Sequence, residues 1–113
     1  MRLILLALLL CIGVFPRLAT AQMAPQAAAR VLDATLMLRS ADGRDRFLGS
    51  GFVFGRNDRA VTNAHVVGKA AQVVAVTQDG TRIDATVIAV DEQRDLAVLQ
   101  LATPHDTVLQ PAS

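Results

Sequence analysis

Ala60-Val61-Thr62-Asn63-Ala64-His65-Val66-Val67 is the stretch on which the reading of this chain turns. It runs a β-branched segment into a single imidazole, and Gly68-Lys69 punctuates it at once. Thirty residues beyond His65 stands Arg94-Asp95-Leu96-Ala97-Val98-Leu99-Gln100-Leu101, a carboxylate at the head of an apolar run. One motif ends a strand and the other begins one. Strand ends are held rigidly by the sheet, so loops there are good places to fix a base beside an acid.

Working outward, the residues on both sides keep a short period. Arg59–Asn63 reads as a strand, preceded by the turn Gly55-Arg56-Asn57-Asp58. Before it, 46–54 reads as a strand whose Gly49 and Gly51 mark a bulge, a bend or the close approach of another backbone. The turn Ala41-Asp42-Gly43-Arg44-Asp45 separates that strand from another over 31–39. After His65, 71–77 reads as a strand, and Gln78-Asp79-Gly80-Thr81 is the clearest hairpin signal in the chain. In 82–90, Ile83, Ala85, Val87 and Ala89 alternate with Arg82, Asp84, Thr86 and Ile88, the pattern of a half-buried strand. The charged turn Asp91–Arg94 then leads into the strand 95–101. Six short strands with turns between them, and no strong helical period, predict a closed antiparallel barrel or a small sandwich.

The flanks read differently. Arg2 precedes 13 apolar residues, Leu3–Phe15, and Ala19-Thr20-Ala21 offers small residues before a cleavage point. Residues 1–21 thus have the layout of a cleavable secretory signal peptide, and the apolar run is too short for a membrane span of about 20 residues. The expectation is a periplasmic or secreted product with no stable membrane anchor after cleavage. The sole cysteine, Cys11, would leave with the signal, so no disulfide is expected despite an oxidising compartment. Two of the eleven basic residues, Arg2 and Arg17, leave as well, and nine remain against ten acidic ones. That near-neutral balance, with no Trp or Tyr, argues against a nucleic-acid partner. Residues 22–30 read as a flexible leader, with Ala27–Arg30 able to begin a helical turn. Residues 102–113, with two prolines, read as a linker or tail. His65 and His105 fit no metal-ligand spacing, so neither a metal nor another cofactor is expected.

A base and a carboxylate on adjacent loops are two members of a Ser-His-Asp constellation, in which the acid fixes the tautomer of the imidazole and stabilises its charged form. Gly49-Ser50-Gly51-Phe52-Val53, Val61–Val67, Asp79-Gly80 and Asp91-x-x-x-Asp95-Leu96-Ala97-Val98-Leu99 occur in an order and spacing that resembles the bacterial trypsin-like serine proteases of the HtrA/Deg type. The resemblance covers residues 31–101. It implies an all-β, six-stranded antiparallel Greek-key barrel, the N-terminal half of a chymotrypsin-like two-barrel fold. It implies peptide-bond hydrolysis, with His65 as general base and Asp95 as orienting acid. Asp91 competes for that second role, and the Asp-Leu-Ala block favours Asp95. The family's nucleophile lies in a Gly-Asn-Ser-Gly-Gly-like loop of the second barrel, which also supplies the oxyanion hole. Ser40 precedes a turn, Ser50 matches a structural strand, and Ser113 is the last residue. Whether this chain is itself an enzyme is therefore open. The resemblance implies a serine endopeptidase with polypeptide substrates once a second barrel completes it, and negligible activity alone. The alternative is a non-enzymatic lone barrel that binds a partner protein.

Overall fold

The computed structural model of the chain describes residues 24–111. The expected signal peptide, the start of the leader and Ser113 lie outside the described residues. Six strands close into one antiparallel barrel: β1 (Thr35–Ser40), β2 (Phe47–Val53), β3 (Arg59–Thr62), β4 (Gln72–Val76), β5 (Arg82–Asp91) and β6 (Leu96–Leu101). Their order around the barrel is β1-β2-β3-β6-β5-β4. The run β4-β1-β2-β3 within that order, three hairpin-linked strands with the fourth returned beside the first, is a Greek key. Of the two architectures the strand pattern allows, the barrel is the one formed.

Alternation drives the closure. Leu36 and Leu38 of β1, Val53 of β2, Ala60 of β3, Val73 and Ala75 of β4, Ile83 and Ala85 of β5, and Ala97, Leu99 and Leu101 of β6 all point inward and form one buried core. The turn from β4 to β5 follows the sequence closely. Gly80 takes φ +89°, and its N–H donates to the Thr77 carbonyl at 3.0 Å. Asp79 accepts the Thr81 N–H at 3.1 Å and also the Thr77 hydroxyl. These bonds hold the Asp79 carboxyl down at about 2, with the Thr77 hydroxyl the leading cause.

Three parts differ from the sequence expectation. Residues 25–34 are not a leader running into a strand; they form a helix, α1 (Pro25–Ala34), and β1 starts only at Thr35. Pro25 stands in the first helical turn, where its missing N–H costs nothing, the alanines favour the helix, and Ala28, Val31 and Ala34 form its inward side. The alternation in β5 fails after Val87. A bulge between Val87 and Ala89 turns Ala89 to the outside and shifts Val90 into register with Ala97. Residues 102–111 are not a loose tail. Leu109 bridges to Phe54, its N–H donates to the Val53 carbonyl at 2.9 Å, and its carbonyl accepts the Gly55 N–H at 2.8 Å. This strap also meets α1, since Arg30 Nη2 donates to the Val108 carbonyl at 3.3 Å and His105 Nε2 bonds the Asp33 carbonyl at 2.7 Å.

Candidate active site

The register of β3 on β6 brings the two quoted motifs together. Thr62, the last residue of β3, pairs with Ala97, so three further residues on one strand and two fewer on the other place His65 near Asp95. Between β3 and β4 the chain makes a single helical turn, α2 (Ala64–Val67), a short helix absent from the strand-only reading. His65 stands in that turn. Its side chain is 71% exposed, against 42% for Asp95.

Asp95 holds His65 at two points. Its Oδ1 accepts the His65 backbone N–H at 2.8 Å, and its Oδ2 lies 2.6 Å from the ring Nδ1. The backbone N–H of His65 is the leading reason that the Asp95 carboxyl is held below the ordinary carboxylate range, followed by the His65 ring. An ionised carboxylate only accepts, so Nδ1 must carry the proton. The neutral ring then has its Nε2 bare, and Nε2 makes no hydrogen bond among the described residues. This is the tautomer that a general base needs.

The contact requires an unusual backbone. Asp95 has φ +54°, in the left-handed region where a non-glycine residue is strained by about 1–2 kcal/mol. Asp tolerates that region better than most residues because its short polar side chain bonds locally. The Asp95 N–H donates to the Glu92 carbonyl at 3.3 Å, and its carbonyl accepts Asn63 Nδ2 at 3.0 Å. Asp91, the competing acid, is engaged elsewhere. It accepts the Arg94 N–H at 3.1 Å and Arg94 Nη1 at 2.8 Å, closing the β5–β6 turn.

The seat of α2 is also set by glycine. A Cβ on Gly49 would come within 2.8 Å of Val66 Cγ2, so the helix lies against β2 only because residue 49 has no side chain. Beside the pair, a shallow hollow of about 320 Å³ is lined by Ala64, His65, Gly68, Lys69, Val90, Glu92 and Asp95. Val90 reaches it through the β5 bulge, a device often found where a strand must re-aim a side chain next to a site. Sequence reasoning missed Val90, Asn63 and the role of Gly49. The apolar triplet Ile88-Ala89-Val90, which breaks strict alternation, was the available signal for the bulge.

Of the two described serines, Ser40 is tied into a turn and Ser50 lies in a strand. Ser40 Oγ donates to Asp42 at 2.8 Å and accepts the Arg46 N–H at 2.9 Å. Ser50 lies in β2, and its carbonyl accepts the Thr62 hydroxyl at 2.7 Å. Neither hydrogen-bonds His65. His105 belongs to the strap, and no cluster of three or more His, Cys, Asp or Glu among the described residues has a metal-binding arrangement.

Known proteins are similar to this chain. Residues 49–113 match the family described as the trypsin-like peptidase domain. A probable periplasmic serine endoprotease, DegP-like, from Brucella suis is 45% identical over 56 residues, which is 50% of this chain and 11% of that protein. The putative serine protease HhoB of Synechocystis is 32% identical over 69 residues, 61% of this chain and 17% of its own. Among solved structures, the serine endoprotease from Yersinia pestis superposes with a TM-score of 0.60 at 32% identity, over 66% of this chain and 28% of that one. The HtrA-type protease AlgW with a decapeptide superposes with a TM-score of 0.61 at 21% identity, a likeness of fold alone. The chain thus spans only a minor part of the length of each relative.

Proposed function

This chain belongs to the trypsin-like peptidase domain family, with HtrA/Deg-type relatives, and we propose that it is the base-bearing barrel of a periplasmic serine endopeptidase. His65 Nε2 takes the proton from a serine hydroxyl as that oxygen attacks a peptide carbonyl, and later returns it to the leaving amine. Asp95 fixes the ring in the Nδ1–H tautomer and stabilises the imidazolium that forms. The serine and the oxyanion donors come from a second barrel, and the substrate is a polypeptide. The periplasmic placement rests on the signal-like residues 1–21 and on the relatives named as periplasmic.

The observation that carries this reading is the double contact of Asp95 on His65, one oxygen on the backbone and one on the ring. Ser40 and Ser50 make no hydrogen bond to His65 and lie at a turn and in a strand, so negligible peptide hydrolysis is expected of the 113-residue chain by itself. Two measurements test the proposal. A fluorophosphonate probe is expected to leave the isolated protein unlabelled; an adduct on Ser40 or Ser50 that disappears in His65→Ala would overturn the assignment of the nucleophile to another barrel. Imidazole nitrogen NMR is expected to find His65 as the Nδ1–H tautomer; an Nε2–H ring would sink the pairing itself.

A second reading, a lone barrel that binds a partner protein, has one observation in its favour. Phe52 pairs with Val61, and Val61 with Val98, so an apolar row crosses the outside of β2, β3 and β6, with Leu96 exposed at its edge.

A further inference from the structure

We propose that Asn63 is a positioning residue for the His65–Asp95 pair, and that it acts by giving up its own helix cap. The inference rests on the reading of that pair as a base and its orienting carboxylate.

Asn63 is the N-cap residue of α2. An Asn there ordinarily folds its side-chain oxygen back onto an N–H two or three residues on, because the first turn of a helix has donors with no partner. Asn63 makes no such bond. Its Nδ2 instead reaches 32 residues along the chain and donates to the Asp95 carbonyl at 3.0 Å. The carbonyl only accepts, so the amide nitrogen, not its oxygen, must face it.

The vacated cap is filled from the other side. His65 is the second residue of α2, and its N–H is the donor that a local cap would take. Asp95 Oδ1 accepts it at 2.8 Å. The two residues have exchanged duties: Asn63 satisfies the backbone of Asp95, and Asp95 satisfies the backbone that Asn63 leaves open. A capping box makes a comparable reciprocal exchange within one helix; here it is made between two strands.

The exchange bears on the chemistry because it fixes both ends of Asp95. The residue sits at φ +54° with its carbonyl pinned by Asn63 and its carboxylate pinned by His65. With the carbonyl released, the backbone is free to leave the strained region, and the carboxylate swings with it. A local cap has the same effect by a different route. A serine at residue 63 is a strong N-cap that bonds the α2 donors itself and displaces Oδ1 from the His65 N–H.

Imidazole nitrogen NMR on the whole chain, at mildly alkaline pH, tests this in Asn63→Ala and Asn63→Ser. His105 is the internal control, because its Nε2 faces the Asp33 carbonyl and must be protonated there. In the parent protein, His65 is expected as Nδ1–H and His105 as Nε2–H. In both variants, His65 is expected to pass from mainly Nδ1–H to mainly Nε2–H while His105 stays as it was. Asn63→Ser keeps a capped helix, so it remains informative where Asn63→Ala unfolds. A folded Asn63→Ser with an unchanged His65 tautomer overturns the proposal. A parent protein lacking the Nδ1–H form overturns the underlying functional reading instead, so the two failures are distinguishable.

Discussion

Asp95 is one carboxylate serving two donors of the same residue from a backbone that most side chains avoid. Its charge and its shape are separable. In Asp95→Asn the side-chain oxygen still accepts the His65 N–H, and Asn tolerates the left-handed region. What is lost is the negative acceptor for Nδ1. The expected result is a melting temperature close to that of the parent, with the His65 ring shifted toward Nε2–H. Thermal melting and imidazole NMR on one sample check both halves; a large fall in melting temperature would show that the charge, not only the shape, holds the β6 entrance. At this scale the sequence pointed to His65 and Asp95, because each lies in a recognisable run of neighbours, and the fold brings the two together. It did not reveal that Asn63 bonds Asp95. The sequence places Asn63 at the end of a strand, and only the β3–β6 register brings the Asp95 carbonyl within its reach.

Among the elements, α2 is the one whose seat depends on a missing atom. Gly49→Ala sets a methyl 2.8 Å from Val66 Cγ2, and a β-branched side chain on a packed helix has little freedom to yield. Overpacking of this kind costs about 1–3 kcal/mol. Urea denaturation of Gly49→Ala should show a loss in that range. Val66→Ala in the same molecule should recover part of it, so the double-mutant cycle is non-additive. Strict additivity would place the origin of the glycine elsewhere. The strands themselves were legible within a residue or two, apart from the start of β1, since period two in a half-buried sheet is a strong signal. α1 was not, because its inward side is made of small residues, Ala28 and Ala34 with Val31 between them, and Val31-Leu32 also suits the strand that follows. The strap was not legible either. It is held by isolated backbone bonds to β2 and its following turn and by side-chain bonds to α1, and half-buried Val108 and Leu109 are too few to make a period.

For the whole molecule, the acidic side chains set the pH range. Asp42, Asp45, Asp58, Asp79, Asp91 and Asp95 are all held below the ordinary carboxylate value, each by donors from nearby backbone or side chains. Asp42, held mainly by the Arg44 N–H, and Asp79, held mainly by the Thr77 hydroxyl, reach about 2 against 3.8. A depressed folded-state value means that the unfolded chain takes up protons first as pH falls. The stabilisation is therefore complete above 3.8 and is lost as pH drops from there towards about 2. Melting temperature should be flat above that window and fall within it. Asp79→Asn, which has no carboxyl to protonate, should show a shallower fall. An equal slope in the variant would remove Asp79 from the account.

The closed barrel also fixes an order in time. β4, β5 and β6 are joined by neighbouring turns and can pair locally, as can β1, β2 and β3. The seams β1–β4 and β3–β6 join residues far apart in the chain, and such pairings are slow because loop-closure entropy is spent before contacts repay it. His65 belongs to one side of the β3–β6 seam and Asp95 to the other. The imidazole thus meets its carboxylate only when the barrel shuts. No half-folded form of this chain brings the His65 ring onto Asp95, and a nascent polypeptide is without the pair until its barrel is closed.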